Sequence, residues 1–113
     1  MAVNDTPSSN EKSWQTTLPN NYGNGTVIEN AVKVDNSYVA YVSLKTGTDR
    51  MIAWVMKNGT TRISDLYKPV KGGGYYTLSY NVSSGADKGT RIMIRACSDT
   101  ITSKNCSGMV DIH

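Results

Sequence analysis

Along most of the chain, apolar and polar positions alternate with a period of two, the pattern of strands that bury one face and wet the other. The clearest run is Tyr38 to Leu44, where Tyr38, Ala40, Val42 and Leu44 form the apolar set, followed by a turn at Thr46-Gly47-Thr48-Asp49. From Met51 to Lys57 both sets are apolar, with Ile52, Trp54 and Met56 alternating against Met51, Ala53 and Val55. Trp54 is expected in the core. Asn58-Gly59 follows and predicts a tight hairpin that needs positive φ at both residues, with a strand returning through Thr60 to Ser64. Further on, Tyr76, Leu78, Tyr80 and Val82 face one way, as do Ile92, Ile94 and Ala96, and then Val110 and Ile112. Thr26 to Val34 reads as one more strand, with Ile28, Val32 and Val34 inward.

Short β-rich runs separated by turn residues predict an all-β fold, a small antiparallel Greek-key β-sandwich of about seven strands. The sandwich is expected to occupy residues 26–113. Residues 1–25, with Trp14 among Ser, Thr, Asn, Pro19 and Gly23, read as an irregular N-terminal arm whose tryptophan either staples it to the sheet or faces outward. Helical spacing is confined to Ile63, Leu66 and Tyr67, enough for one turn within 61–68.

A length of 113 residues fits one domain with a thin core. The net charge of +3 is too weak and dispersed to imply nucleic acid as a partner, and no stretch approaches the roughly 18 apolar residues of a transmembrane segment. Cys97 and Cys106 enclose a polar turn-forming segment and are expected to form a disulfide. Such a bridge would contribute about 2–3 kcal/mol and would favour an oxidising, extracytoplasmic setting. The opening residues lack the basic and apolar regions of a signal peptide, so the expectation is a secreted chain from which any signal has been removed. Two cysteines and one histidine cannot complete a zinc site, and neither a metal nor another cofactor is expected.

Candidate chemistry is sparse. His113 is the single histidine and the final residue, poorly placed to activate a nucleophile. Glu29, Asp35, Asp49, Asp65, Asp87, Asp99 and Asp111 are the carboxylates considered for a two-carboxylate hydrolase, but most sit beside Gly, Asn, Ser or Thr, where turn and cap chemistry explains them. Asp111 lies inside a strand, and alternation sends it to the solvent face. Gly72-Gly73-Gly74 lacks the GK[ST] sequel of a phosphate loop. No catalytic residue is assigned and the chain is not expected to be an enzyme. Five Asn-X-Ser/Thr triplets, at Asn4, Asn24, Asn58, Asn81 and Asn105, would accept glycans only in a eukaryotic secretory pathway.

Binding is the chemistry this composition favours. Seven tyrosines and no phenylalanine supply large apolar faces that tolerate water. With Tyr38, Tyr76, Tyr80 and Trp54 assigned to the core, Trp14, Tyr41, Tyr67 and Tyr75 are left as outward candidates. Lys57, Arg62, Arg91 and Arg95 would add a basic stripe able to attract anionic wall polymers or lipid headgroups.

A Trp-containing strand ending Ala53-Trp54-Val55-Met56-Lys57-Asn58-Gly59-Thr60, then Lys71-Gly72-Gly73-Gly74-Tyr75-Tyr76, then a cysteine-bearing hairpin resembles small secreted β-sandwich proteins of Gram-positive bacteria. Some of those belong to, or are encoded near, bacteriocin systems of the lactococcin type. The likeness is one of pattern, over residues 38–112, and implies location and class without supplying catalytic residues. The expected function is therefore a secreted, non-catalytic interaction protein of the bacterial cell envelope, bacteriocin-like or bacteriocin-associated, whose partner is an envelope component or another protein. The alternative is a carbohydrate-binding module that stacks polysaccharide rings on Trp14, Tyr41 and Tyr75.

Overall fold

The computed structural model describes residues 10–21 and 25–113, so residues 1–9 and 22–24 of the expected arm, with Asn4 and Asn24 of the Asn-X-Ser/Thr triplets, lie outside the described residues. Eight strands form: β1 (Glu11–Leu18), β2 (Thr26–Val32), β3 (Val39–Val42), β4 (Met51–Lys57), β5 (Thr61–Arg62), β6 (Tyr76–Ser79), β7 (Arg91–Ser98) and β8 (Lys104–Ile112). They make two four-stranded antiparallel sheets, β1-β8-β3-β6 (sheet A) and β2-β7-β4-β5 (sheet B), packed as a β-sandwich. The helical turn that spacing allows within 61–68 does not form, and the strand expected to return there does, because β5 and the residues after it stay hydrogen-bonded along β4, with Ile63 N–H donating to Val55 O and Tyr67 exchanging both backbone bonds with Ala53.

The main departure at the N-terminus is β1. Residues expected to be irregular pair with β8 along their whole length, from Glu11 opposite Asp111 to Leu18 opposite Lys104. Trp14 and Leu18 thereby enter the core, at 5% and 0% exposure. Sequence alternation was masked here because the intervening inward residues, Lys12 and Thr16, are polar.

Between the sheets the core is built from the sets that alternation selects on β3, β6, β7 and β8: Ala40, Val42, Leu78, Ile92, Ile94, Ala96, Val110 and Ile112 are all buried. On β4 the choice is the reverse of the one expected. Met51, Ala53 and Val55 are fully buried, while Ile52, Trp54 and Met56 turn outward. β7 decides this, since its inward Ala96 and Ile94 stand opposite Ala53 and Val55, and its outward Arg95 stands opposite Trp54. On β2 a bulge at Ile28 inserts one unpaired residue, so parity flips after it. Ile28 stays inward, whereas Val32, expected inside, ends opposite Arg91 and exposed, and Val34 is exposed beyond the strand end.

The hairpin at Asn58-Gly59 forms as its residues predict, with φ of 54° and 74°. The two sheets are tied at one edge by an ion pair between Lys12 of β1 and Glu29 of β2, at 3.4 Å.

The expected disulfide is not formed: Cys97 and Cys106 are both free and both buried. Cys97 has the outward parity of β7, beside Ile52 on the far side of sheet B from the core. Cys106 has the inward parity of β8 and joins the core, its Sγ accepting from Thr48 N–H at 3.4 Å. A sheet lies between the two directions, and side chains so aimed cannot meet. Unbridged, the two cysteines give no support to an oxidising compartment.

Candidate functional site

The outer face of sheet B gathers the groups best suited to recognition. Strand pairing sets Trp54 directly opposite Arg95, Met56 opposite both Met93 and Arg62, and Ile52 opposite Cys97. Ile52, Trp54, Met56 and Leu66 form the apolar lining of an open groove of about 520 Å3, flanked by Arg62 and Arg95. Its remaining lining residues are Asn21, Gly59 and Cys97, so no carboxylate is among them. Leu66 is 51% exposed, an apolar side chain presented to water. Burial, helped by the charge of Asp99, pushes the Cys97 thiol up from its ordinary value, which keeps it protonated and a poor nucleophile.

Trp54 is held in place from one end of the groove. The backbone of Gly25, at φ 72°, runs against the far edge of the indole, so close that a Cβ there would stand 2.6 Å from a ring carbon. Arg95 reaches the carbonyl of Gly25 with one guanidinium nitrogen at 3.4 Å. Arg62 makes no ion pair or side-chain hydrogen bond among the described residues. Its charge is therefore directed to solvent.

Of the basic residues expected to form one stripe, Arg62, Arg91 and Arg95 share this face, with Arg91 bonded to Asn30 at 2.7 Å. Lys57 has the opposite parity, opposite inward Ile92, and lies near Gly85. Trp14, expected outward, is a core residue whose Nε1 donates to Ser43 O at 3.1 Å. The two tryptophans have thus exchanged the roles that the sequence assigned. Tyr67 is half-buried against the core with its hydroxyl on Ser79 O, apart from the other candidates.

Tyr41 and Tyr75 lie on the outer face of sheet A, the opposite side of the molecule. Their rings meet edge to face at 6.4 Å, and the Tyr75 hydroxyl crosses two strands to hydrogen-bond Glu11. Burial and that carboxylate raise the Tyr75 pKa. Asp111 is on this face, between Glu11 and Tyr41 in register, yet fully buried rather than solvated. His113, expected to be a loose terminal residue, stacks on Tyr41 at 5.9 Å, and its carbonyl accepts from Val34 and Asp35 N–H.

The grouping of Ser37, His113 and Asp35 is not a nucleophile–base relay. Such a relay uses the two ring nitrogens separately. Here Ser37 Oγ, at 3.2 Å, and Asp35 Oδ2, at 2.9 Å, both address Nδ1, while Nε2 is buried without a partner. Burial alone would raise the Asp35 carboxyl, but hydrogen bonds from His113 and from Ser37 outweigh it and hold it at about 2. On this side of the molecule Glu11 is thus bound by Tyr75 and Asp35 by His113.

Comparison with family models, with curated proteins and with solved structures finds no match for this chain. No group of three or more His, Cys, Asp or Glu side chains able to hold a metal occurs among the described residues.

Ile52, Trp54, Met56 and Leu66 are the groove residues that the sequence pattern placed inward or in a helical turn. The available signal was the neighbouring strand: Arg91 and Arg95 mark the outward face of β7, and pairing β4 with β7 through their small inward residues, Ala53 and Ala96, sends Trp54 to the same side.

Proposed function

We propose that the chain is a secreted, non-catalytic binding protein that acts at the bacterial cell envelope, engaging its target through the outer face of sheet B. One observation carries the reading: Trp54 is positioned on an outward sheet face, in an open groove whose charged lining residues are both arginines. A half-exposed tryptophan beside unneutralised guanidinium groups is the combination enriched where surfaces bind partners. A target that is anionic fits this groove, since nothing acidic in its lining competes for Arg62 or Arg95. The bacteriocin-like role implied by the pattern resemblance is of this kind, contact with an envelope component without covalent chemistry.

We read the strand order as the jelly-roll form of the Greek key, an architecture that also serves lectin domains. That is an analogy of fold and carries no site residues.

The test is a pulldown of the purified chain on intact Gram-positive cells and on isolated peptidoglycan, at low and high salt. The expected result is retention at low salt that falls as salt rises and is lost in Trp54→Ala, with Tyr41→Ala unchanged. Retention that ignores Trp54, or none at all, overturns the assignment of this face.

A further inference from the structure

The groove combines two features that few ligands match at once. A neutral glucan would offer an apolar ring face for Trp54 but nothing for the arginines. A polyol phosphate would offer charge without a ring. A lipid surface would need a protruding apolar rim, whereas Trp54 sits within a concavity.

Resting on the reading of sheet B as a binding face, we infer that the groove binds an acidic polysaccharide of uronate units, a pyranose ring lying on Trp54 while carboxylates of the same chain are held by Arg95 and Arg62. The spacing supports this. Trp54 and Arg95 are direct cross-strand neighbours, about 5 Å apart at Cβ, and Trp54 and Arg62 are diagonal ones, about 7–8 Å apart. A uronate carries its carboxylate on the ring itself, so a ring seated on the indole brings one anion to the near arginine and its neighbour's anion toward the farther one. Guanidinium groups suit carboxylates because their planar N–H pairs can donate two parallel bonds. The volume, about 520 Å3, falls within the range of roughly 300–1,000 Å3 typical of small-ligand clefts and admits a short saccharide segment. Gly25 fixes the far edge of the indole, so the platform is ordered before the ligand arrives.

The experiment titrates the full chain with an oligogalacturonate, a neutral glucan oligomer of equal length and a polyglycerol phosphate, read by calorimetry and tryptophan fluorescence. The expected result is saturable binding of the oligogalacturonate alone, weakened about tenfold by Arg95→Gln and by Arg62→Gln and abolished by Trp54→Ala. The arginine variants keep the test decisive if Trp54→Ala unfolds. Equal binding of the neutral glucan, equal binding of the polyol phosphate, or indifference to both arginine substitutions overturns the proposal, as does concentration-dependent self-association in place of sugar binding. If envelope fractions retain the chain through Trp54 while the oligogalacturonate does not bind, the uronate assignment fails and the binding face stands. If retention ignores Trp54, the binding face itself fails.

Discussion

Trp54 and Arg95 stand directly opposite each other in the β4–β7 ladder, on the face of sheet B turned away from the core. That relationship makes Trp54 part of a groove and removes it from the list of core residues, and it leaves Trp14 as the buried tryptophan. Both aromatic residues were visible in the sequence; their roles were not.

The exchange of roles has a measurable consequence for stability. Trp14→Ala is expected to cost about 3–5 kcal/mol, the scale of a large aromatic removed from a packed core. Trp54→Ala should cost about 1 kcal/mol, closer to an ordinary surface-proximal change. Urea unfolding of the two variants gives the comparison, and equal losses would contradict the placement.

Free cysteines predict insensitivity to reductant. The thermal midpoint should be the same with and without dithiothreitol, and the denatured chain should titrate as two thiols. A midpoint that falls on reduction would show a bridge in place of the two separate directions described.

Gly108 is expected to be intolerant of any side chain. A Cβ there would overlap the Ser43 carbonyl oxygen and stand 2.9 Å from Trp14 Nε1, displacing both partners of that hydrogen bond. Gly108→Ala should destabilise by about 3 kcal/mol, measured by chemical denaturation, with a change in near-ultraviolet circular dichroism from the disturbed indole.

Acid stability should depend on Asp35. Its carboxyl is held at about 2, below its ordinary 3.8, so between these values the unfolded chain binds more protons than the folded one. The resulting stabilisation is fully present above pH 3.8 and is lost as pH falls through about 2. Asp35→Asn should therefore show a shallower loss of stability across that window, read from unfolding midpoints at stepped pH. An unchanged acid limb would mean that the His113 and Ser37 bonds do not hold in solution.

How far the sequence spoke depended on whether one answer or two satisfied the local pattern. The class of fold, the hairpin at Asn58-Gly59 and the inward sets of β3, β6, β7 and β8 followed from period-two alternation, because in each only one set is consistently apolar or one backbone conformation is available. On β4 both sets are apolar, so alternation defines two faces without choosing between them. Pairing with β7 made the choice and put Trp54 in the groove. The bulge at Ile28 exposed Val32 by shifting register, something a single strand's pattern does not encode. Cys97 and Cys106 are near in sequence, yet their strands belong to different sheets and aim them to different sides, since a side chain's direction is set by the parity of its strand and the sheet it joins. Local alternation was enough to locate β2 to β8 and most of the core, though not β1; which residues share a face was settled only on folding, because that depends on strand neighbours contributed by distant parts of the chain.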